Sequence, residues 1–249
     1  MPSLLHLARR ARSDPAGFAR AARGAVERRV LTHPRVEVAL SRQAQRLYYY
    51  VAEVDAGRTW RNTHWMGVPL LKCPLDLWVY QELIAAHRPD LVIETGTSRG
   101  GSALYMAALC DLVGNGEIVT IDIAPVEPEP PAHERITYIT ASSTAPATLD
   151  AVRHRAGDLQ KVWVILDSDH SAGHVRAELD LYADIVTPGG YLIVEDTNVN
   201  GHPAAPEHGP GPAEAVQAWL ATGPPFDPDP SCERFLVTLN PGGFLRRRT

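Results

Sequence analysis

The chain has 249 residues, 45% hydrophobic and 21% charged, with three Cys and a formal charge of −5 at pH 7. That length can bury a full core and suits one domain with extensions, while 19 Gly and 21 Pro without a period exclude a collagen-like or low-complexity chain. The longest apolar run, Ala103 to Cys110, is too short to cross a bilayer, and no apolar segment with a cleavage site follows the N-terminus.

Cys73, Cys110 and Cys232 are odd in number and far apart, which reads as reduced thiols of a soluble, cytoplasmic protein. Residues 1–46 hold ten Arg against Asp14, Glu27 and Glu37, a net +7 that leaves −12 for the remainder. Ala, Leu and Val recur between these Arg residues at helical spacing, so we expect a basic helical arm over 1–60. It would dock on its own acidic domain or on a second copy in a homodimer. Ser13-Asp14-Pro15 reads as a stop followed by a new N-cap. The acidic remainder and the lack of a recognition motif argue against nucleic acid as a partner. Arg246, Arg247 and Arg248 read as a solvated tail.

Over 61–249, helical patterns alternate with short apolar runs rich in Val, Ile and Leu. Leu75–His87 reads as a helix, Leu91–Thr95 as a strand and 101–113 as a helix. Glu117–Ile123 and Arg135–Thr140 are strands separated by a Pro-rich loop, and Thr144–Ala156 is a helix. Lys161–Asp167 is a strand, His174–Val186 a helix and Tyr191–Glu195 a fifth strand. Such strands predict an α/β fold, a doubly wound, mostly parallel sheet with helices on both faces. Its ligand should lie beyond the carboxyl ends of the strands, where strand order reverses. Residues 201–212, rich in Pro and Gly, read as a long mobile loop over that edge. A helix near Glu214–Leu220 follows, and Arg234–Leu239 and Phe244–Arg247 flank Asn240-Pro241-Gly242-Gly243 as a closing β-hairpin.

The carboxylates fall at strand ends. Glu94 stands two residues before Gly96 in the Gly-rich turn that opens a helix, a turn that fits neither G-x-G-x-x-G nor a P-loop. An acid there disfavours a pyrophosphate and favours a cationic ligand, which points to S-adenosylmethionine. Asp122 could accept from both hydroxyls of a ribose. Ser142 and Ser143 stand where an adenine would lie, and either could instead cap the next helix. Asp167, Glu195 and Asp196 would face one another, and their repulsion calls for a cation or raised pKa values. Oxygen donors without Cys suit Mg²⁺. His170 reads as a general base. His170 and His174 would share a helix face only if their helix starts early.

At these residues the sequence resembles the cephalosporin hydroxylase/rhamnosyl O-methyltransferase family, a group of Rossmann-like, S-adenosylmethionine-dependent methyltransferases. The matching stretches include W-M-G-V-P-L-L-K-C-P-L-D-L-W-V-Y-Q-E-L (65–83), P-D-L-V-I-E-T-G-T-S-R-G-G-S-A (89–103), L-D-S-D-H-S-A-G-H-V-R-A-E-L (166–179) and G-G-Y-L-I-V-E-D-T (189–197). G-P-G-P-A-E-A-V (209–216) and E-R-F-L-V-T-L-N-P-G-G-F-L (233–245) extend it. The resemblance implies cofactor contacts from Glu94, Gly96, Ser102, Asp122 and Ser143, and Mg²⁺ at Asp167, Glu195 and Asp196. Asp169 stands where relatives more often carry Asn, which leaves it open whether it aids the base, joins the metal or does neither. The resemblance also implies a sugar acceptor of mannoside or rhamnoside type. Trp65, Tyr80 and His202 are candidate sugar contacts that fit packing or loop surface equally well. A non-haem iron oxygenase built on His170, His174 and a carboxylate is the rival enzyme, and a non-catalytic glycan-binding relative is the third reading.

Overall fold

The computed structural model describes residues 14–127 and 129–249, so Arg9, Arg10, Arg12 and Ser13 of the basic arm lie outside the described residues. The described residues divide into two compact units, with the boundary between Ala44 and Gln45. In the first, helix α1 (Pro15–Leu31) starts where Asp14 Oδ1 accepts the Gly17 N–H at 2.9 Å. Pro15 fills the first helical position, where no N–H is needed. Helix α2 (Pro34–Val54) follows, and its turns from Gln45 onward belong to the second unit. No described helix is long and apolar enough to cross a membrane.

The second unit opens with a small antiparallel pair, β1 (His64–Trp65) and β2 (Val68–Pro69). Then come α3 (Pro74–His87), β3 (Leu91–Thr95), α4 (Gly101–Val113), β4 (Glu117–Asp122), β5 (Ile136–Thr140) and α5 (Pro146–Ala156). β6 (Val162–Leu166), α6 (Ala172–Tyr182), β7 (Tyr191–Val194), α7 (Pro212–Leu220), β8 (Phe226–Pro228) and β9 (Phe244–Arg247) complete it. The seven-stranded sheet runs β5-β4-β3-β6-β7-β9-β8, parallel except where β9 opposes β7 and β8. The doubly wound α/β expectation therefore holds.

Alternation along the buried strands explains their uninterrupted hydrophobicity. Leu91 and Ile93 join one core layer, under α5, α6 and α7, and Val92 joins the other, under α3 and α4. In β6, Val162, Val164 and Leu166 face the first layer, and Trp163 and Ile165 the second. Both faces are dry, so neither set can be polar. From β3 the chain winds outward to β4 and β5, then returns to β6 beside β3. Strand order thus reverses between β3 and β6, and the ligand crevice of such a sheet lies beyond their carboxyl ends.

Three local expectations change. The hairpin arm expected at Arg234–Leu239 is not a strand; β9 instead pairs with β8. Leu236 adopts a left-handed φ of 68°, which interrupts extended backbone, and Leu239 and Asn240 turn inward to buttress the site. The segment 201–212 is tied down rather than free: Gly201 N–H donates to Ala204 O, Ala204 N–H to Asn198 O, and Ala204 and Ala205 are buried. Of the final arginines, Arg247 donates to Asp184 O at 3.1 Å and Arg248 pairs with Asp227 at 2.8 Å, while Arg246 is exposed as expected.

Gly96 marks how closely the two central strand ends approach. Its φ is +90°, and a Cβ there would stand 1.8 Å from the Asp167 carbonyl oxygen. Gly96→Ala should destabilise the fold by about 2 kcal/mol or more, measured as a lowered thermal midpoint; an unchanged midpoint would refute this packing.

Candidate active site

One cavity of about 650 Å³ opens at the switch point. At its first end the β3–α4 turn supplies Gly96, Ser98 and the α4 N-terminus, whose free N–H groups favour negatively charged or electron-rich groups. Asp122, at the end of β4, accepts from the Ser98 N–H at 2.9 Å and the Ala124 N–H at 3.0 Å. Its carboxylate is therefore oriented before any ligand arrives. Ser102, Ser142 and Ser143 also line the cavity. Neither Ser142 nor Ser143 caps α5, whose N-cap is Ala145, so their positions suit ligand contact better than capping.

Glu94 stands apart from these lining residues. It is fully buried beneath the cavity rather than in its wall, with Oε2 accepting from Thr120 Oγ1 at 2.8 Å and Oε1 unpartnered. Burial pushes its pKa up to about 7, against the opposing pull of Lys72, Ser102 and Thr120.

At the other end, Asp167, His170 and Asp196 each offer one ligand atom, and these three atoms lie within 4.8 Å of one another. His170 Nε2 is 3.2 Å from Asp196 Oδ2. Asp196 has a left-handed φ of 53° and is held by its N–H donating to Asn240 Oδ1 at 3.0 Å. Asn240 is placed by its neighbour Leu239, whose N–H donates to the buried Asp76 Oδ2 at 2.9 Å.

Glu195 lies outside that trio. Its Oε1 accepts from Lys72 Nζ at 2.5 Å and from Tyr80 OH at 2.6 Å, and the same Lys72 reaches Asp167 Oδ2 at 2.6 Å. Of the expected set, Asp167 and Asp196 thus line the cavity while Glu195 is buried, bridged to Asp167 by Lys72. The physical reason is that a buried carboxylate takes the nearest cation. Burial raises the pKa of all three acids, with the other carboxylates adding to it and Lys72 and His170 opposing it. Burial lowers the pKa of His170, but Asp196, Asp167 and Glu195 outweigh it and the net shift is upward.

Asp169 is exposed in the cavity wall and its Oδ1 accepts the Ser171 N–H at 2.7 Å, so it shapes the turn into α6. α6 starts only at Ala172, with Ser171 as its N-cap. His170 therefore precedes the helix and shares no face with His174, whose Nε2 lies 3.3 Å from both Ser143 Oγ and Glu178 Oε1. Trp65 packs edge-on against Tyr105, Tyr80 is buried, and His202 pairs with Glu214 at 2.7 Å, so none of the three lines the cavity. Tyr49, Trp60 and His208 do. Sequence reasoning missed these and Lys72. The available signal was that Lys72, one of two lysines in the chain, interrupts an apolar run from Val68 to Pro74.

Residues 57–248 match the family described as rhamnosyl O-methyltransferase/CmcI. The chain belongs to that family. Among its relatives, the rhamnosyl O-methyltransferase of Mycobacterium leprae (strain TN) is 40% identical over 194 residues, covering 76% of this chain and 85% of that protein. The rhamnosyl O-methyltransferase of Mycobacterium bovis (strain BCG / Pasteur 1173P2) is 39% identical, over 76% of this chain and 79% of its own length. The fold is similar to that of the CmcI-N160 apo-structure, with a TM-score of 0.62 at 22% identity, covering 78% of this chain and 80% of the other. The cmcI-D160 Mg-SAM structure superposes with a TM-score of 0.58 at 21% identity, covering 80% and 84%.

Within this family member, two buried acids should set a pH dependence of stability. Burial first, then their neighbours, leave both Glu94 and Asp76 at about 7 in the folded protein, against ordinary values of 4.5 and 3.8. The folded chain then keeps protons that the unfolded chain releases. Stability from these groups is complete below about pH 4 and is lost as pH rises towards 7, by up to about 1.4 kcal/mol per pH unit for each. Melting curves between pH 4.5 and 7.5 should show a shallower fall for Glu94→Gln and Asp76→Asn than for the native chain. Parallel curves would contradict the assignment.

Proposed function

We propose that the chain is an O-methyltransferase that moves the methyl group of S-adenosylmethionine to a sugar hydroxyl, with Mg²⁺, on a rhamnoside- or mannoside-type acceptor. One observation carries the reading: the Asp167–His170–Asp196 trio opens into the same cavity as Gly96, Asp122 and Ser143. Family membership and the names of the 40% and 39% identical relatives support methyl transfer to a rhamnosyl group.

The residues present fit both groups. Asp122 would take the ribose hydroxyls, and the Gly96 turn with the α4 N-terminus would take the amino-acid end of the donor. Three acids against the single ammonium of Lys72 leave excess negative charge, the condition a divalent cation relieves. Asp167 and Asp196 are the oxygen donors that face the cavity and would hold it. When bound, Mg²⁺ lowers the pKa of a coordinated hydroxyl and orients it.

The chain's own chemistry is then proton removal and alignment. A sugar hydroxyl is a poor nucleophile at neutral pH. His170 Nε2 takes its proton as the oxygen attacks the methyl carbon and the carbon–sulfur bond breaks, which leaves the methyl ether, S-adenosylhomocysteine and an imidazolium. Asp196, 3.2 Å away, stabilises that imidazolium. The cavity walls hold oxygen, carbon and sulfur in line. A facial iron triad has no support in this geometry, because His174 turns to Ser143 and Glu178.

Asp167→Asn, Asp196→Asn and His170→Ala should each lower kcat for labelled-methyl incorporation into methyl rhamnosides or mannosides by about 100-fold or more. Calorimetry should show donor binding retained in His170→Ala. Full turnover in EDTA, or no donor binding by the native chain, would overturn the reading.

We further assign the transfer to a cytoplasmic protein whose buried, free Cys73, Cys110 and Cys232 stay reduced; of the arm expected over 1–60, Tyr49 and Trp60 line the cavity with the domain expected over 61–249, and the residues before Gln45 keep the role of joining a homodimer. Deleting residues 1–46 should then yield a monomer by light scattering, and a dimer of unchanged stoichiometry would remove that role.

A further inference from the structure

Apart from its histidines, the cavity wall has two aromatic rings, Tyr49 and Trp60, both half-buried. Their centroids lie 5.7 Å apart at an interplanar angle of 25°. The pair is braced by its neighbours. Trp60 Nε1 donates to the Tyr49 carbonyl at 3.4 Å, Tyr50 abuts Tyr49 edge-on at 5.5 Å, and the Arg61 guanidinium covers Trp60 at 4.9 Å while pairing with Glu53. The Trp60 carbonyl accepts from Thr63 Oγ1 at 2.9 Å, and Thr63 Oγ1 in turn accepts the Lys72 N–H at 3.1 Å. The aromatic pair and the buried lysine therefore sit on one hydrogen-bonded segment.

Positive backbone φ angles at Thr59 and Leu71, 50° and 55°, bracket that segment, and Leu71 stays 42% exposed in the same wall. Backbone strain of this kind persists where the surrounding structure imposes it and clusters at binding sites. Burial and the negative charges of Glu53 and Asp196 push the Tyr49 hydroxyl up to about 12. It is thus a protonated donor at neutral pH, and the neighbouring Tyr50 OH accepts the Ala205 N–H at 3.0 Å, which ties this helix end to the loop that follows Asp196.

We propose that Tyr49 and Trp60 form the acceptor subsite, an aromatic wall against which the C–H face of a pyranoside packs while one ring hydroxyl faces His170 and Asp196. The assignment rests on the methyl-transfer reading and names what that reading leaves open, the side chains that select a sugar. A pyranose ring has hydroxyls at its rim and C–H bonds on its faces, so a rigid aromatic surface beside a polar trio complements both. Rigid rings also lose little conformational freedom on binding. Tyr49 lies outside the family-matched span of 57–248 and Trp60 inside it.

The test uses the full chain with methyl α-L-rhamnopyranoside and methyl α-D-mannopyranoside as acceptors. Trp60→Ala and Tyr49→Ala should raise the acceptor KM about tenfold or more while the Kd for S-adenosylmethionine changes less than about twofold. Trp60→Phe, which keeps a ring, should stay within about threefold of the native KM. The glycosides should also quench tryptophan fluorescence in the native chain and not in Trp60→Phe, a readout independent of turnover. An unchanged acceptor KM in both alanine variants overturns the proposal, as does a parallel rise in KM and donor Kd, which marks general disruption. If the native chain transfers no methyl group but keeps a Trp60-dependent quench, the methyl-transfer reading fails and the subsite stands.

Discussion

Asp167 and Glu195 follow two neighbouring parallel strands, one acid at the cavity wall and the other buried, where like charges repel strongly. Lys72 Nζ sits between them at 2.6 and 2.5 Å, with Tyr80 completing the cover over Glu195. Burial alone would strip the lysine of its proton, but Asp167, Glu195 and Glu94 outweigh it and keep the ammonium charged. Removing one partner from such a cluster leaves an uncompensated buried charge, which is far costlier than never burying the pair. The strand ends can therefore come together only because the chain delivers this cation to them.

That delivery explains an otherwise odd stretch of sequence. The β1–β2 pair and the turns around it tie back through Thr63, whose carbonyl accepts the Leu70 N–H and whose hydroxyl accepts the Lys72 N–H. On the far side, Asp76 holds Leu239, and the adjoining Asn240 holds Asp196 in its left-handed conformation. Asp167 and Asp196 are thereby turned to the cavity while Glu195 is drawn inward. The result is one cavity whose wall carries the Gly96 turn, serines and Asp122 together with Asp167, Asp196, His170 and two aromatic rings.

The parallel sheet and its helices were legible because dry strands must be apolar throughout and amphipathic helices must repeat their apolar face. Asp122, Asp167, Asp196 and the Gly96 turn were legible for a related reason, since strand ends at a switch point are where such a sheet presents polar groups. Glu94 and Glu195 occupy the same kind of sequence position but face inward, and nothing in their immediate neighbours distinguishes them. His170 and His174 show the same limit. Ser171 caps α6 and so excludes His170 from the helix, a difference of two residues that the periodicity does not resolve.

By itself the sequence determined element type, core layering and the gathering of acids and glycines at one edge of the sheet, because each depends on patterns within a few residues along the chain. Only the tertiary structure decided which acid faces the cavity, that Lys72 neutralises the others, that Tyr49 and Trp60 share the wall, and that β9 pairs with β8. Those outcomes depend on partners brought together across long separations in sequence, where burial and charge pairing select among contacts that local pattern leaves equally available.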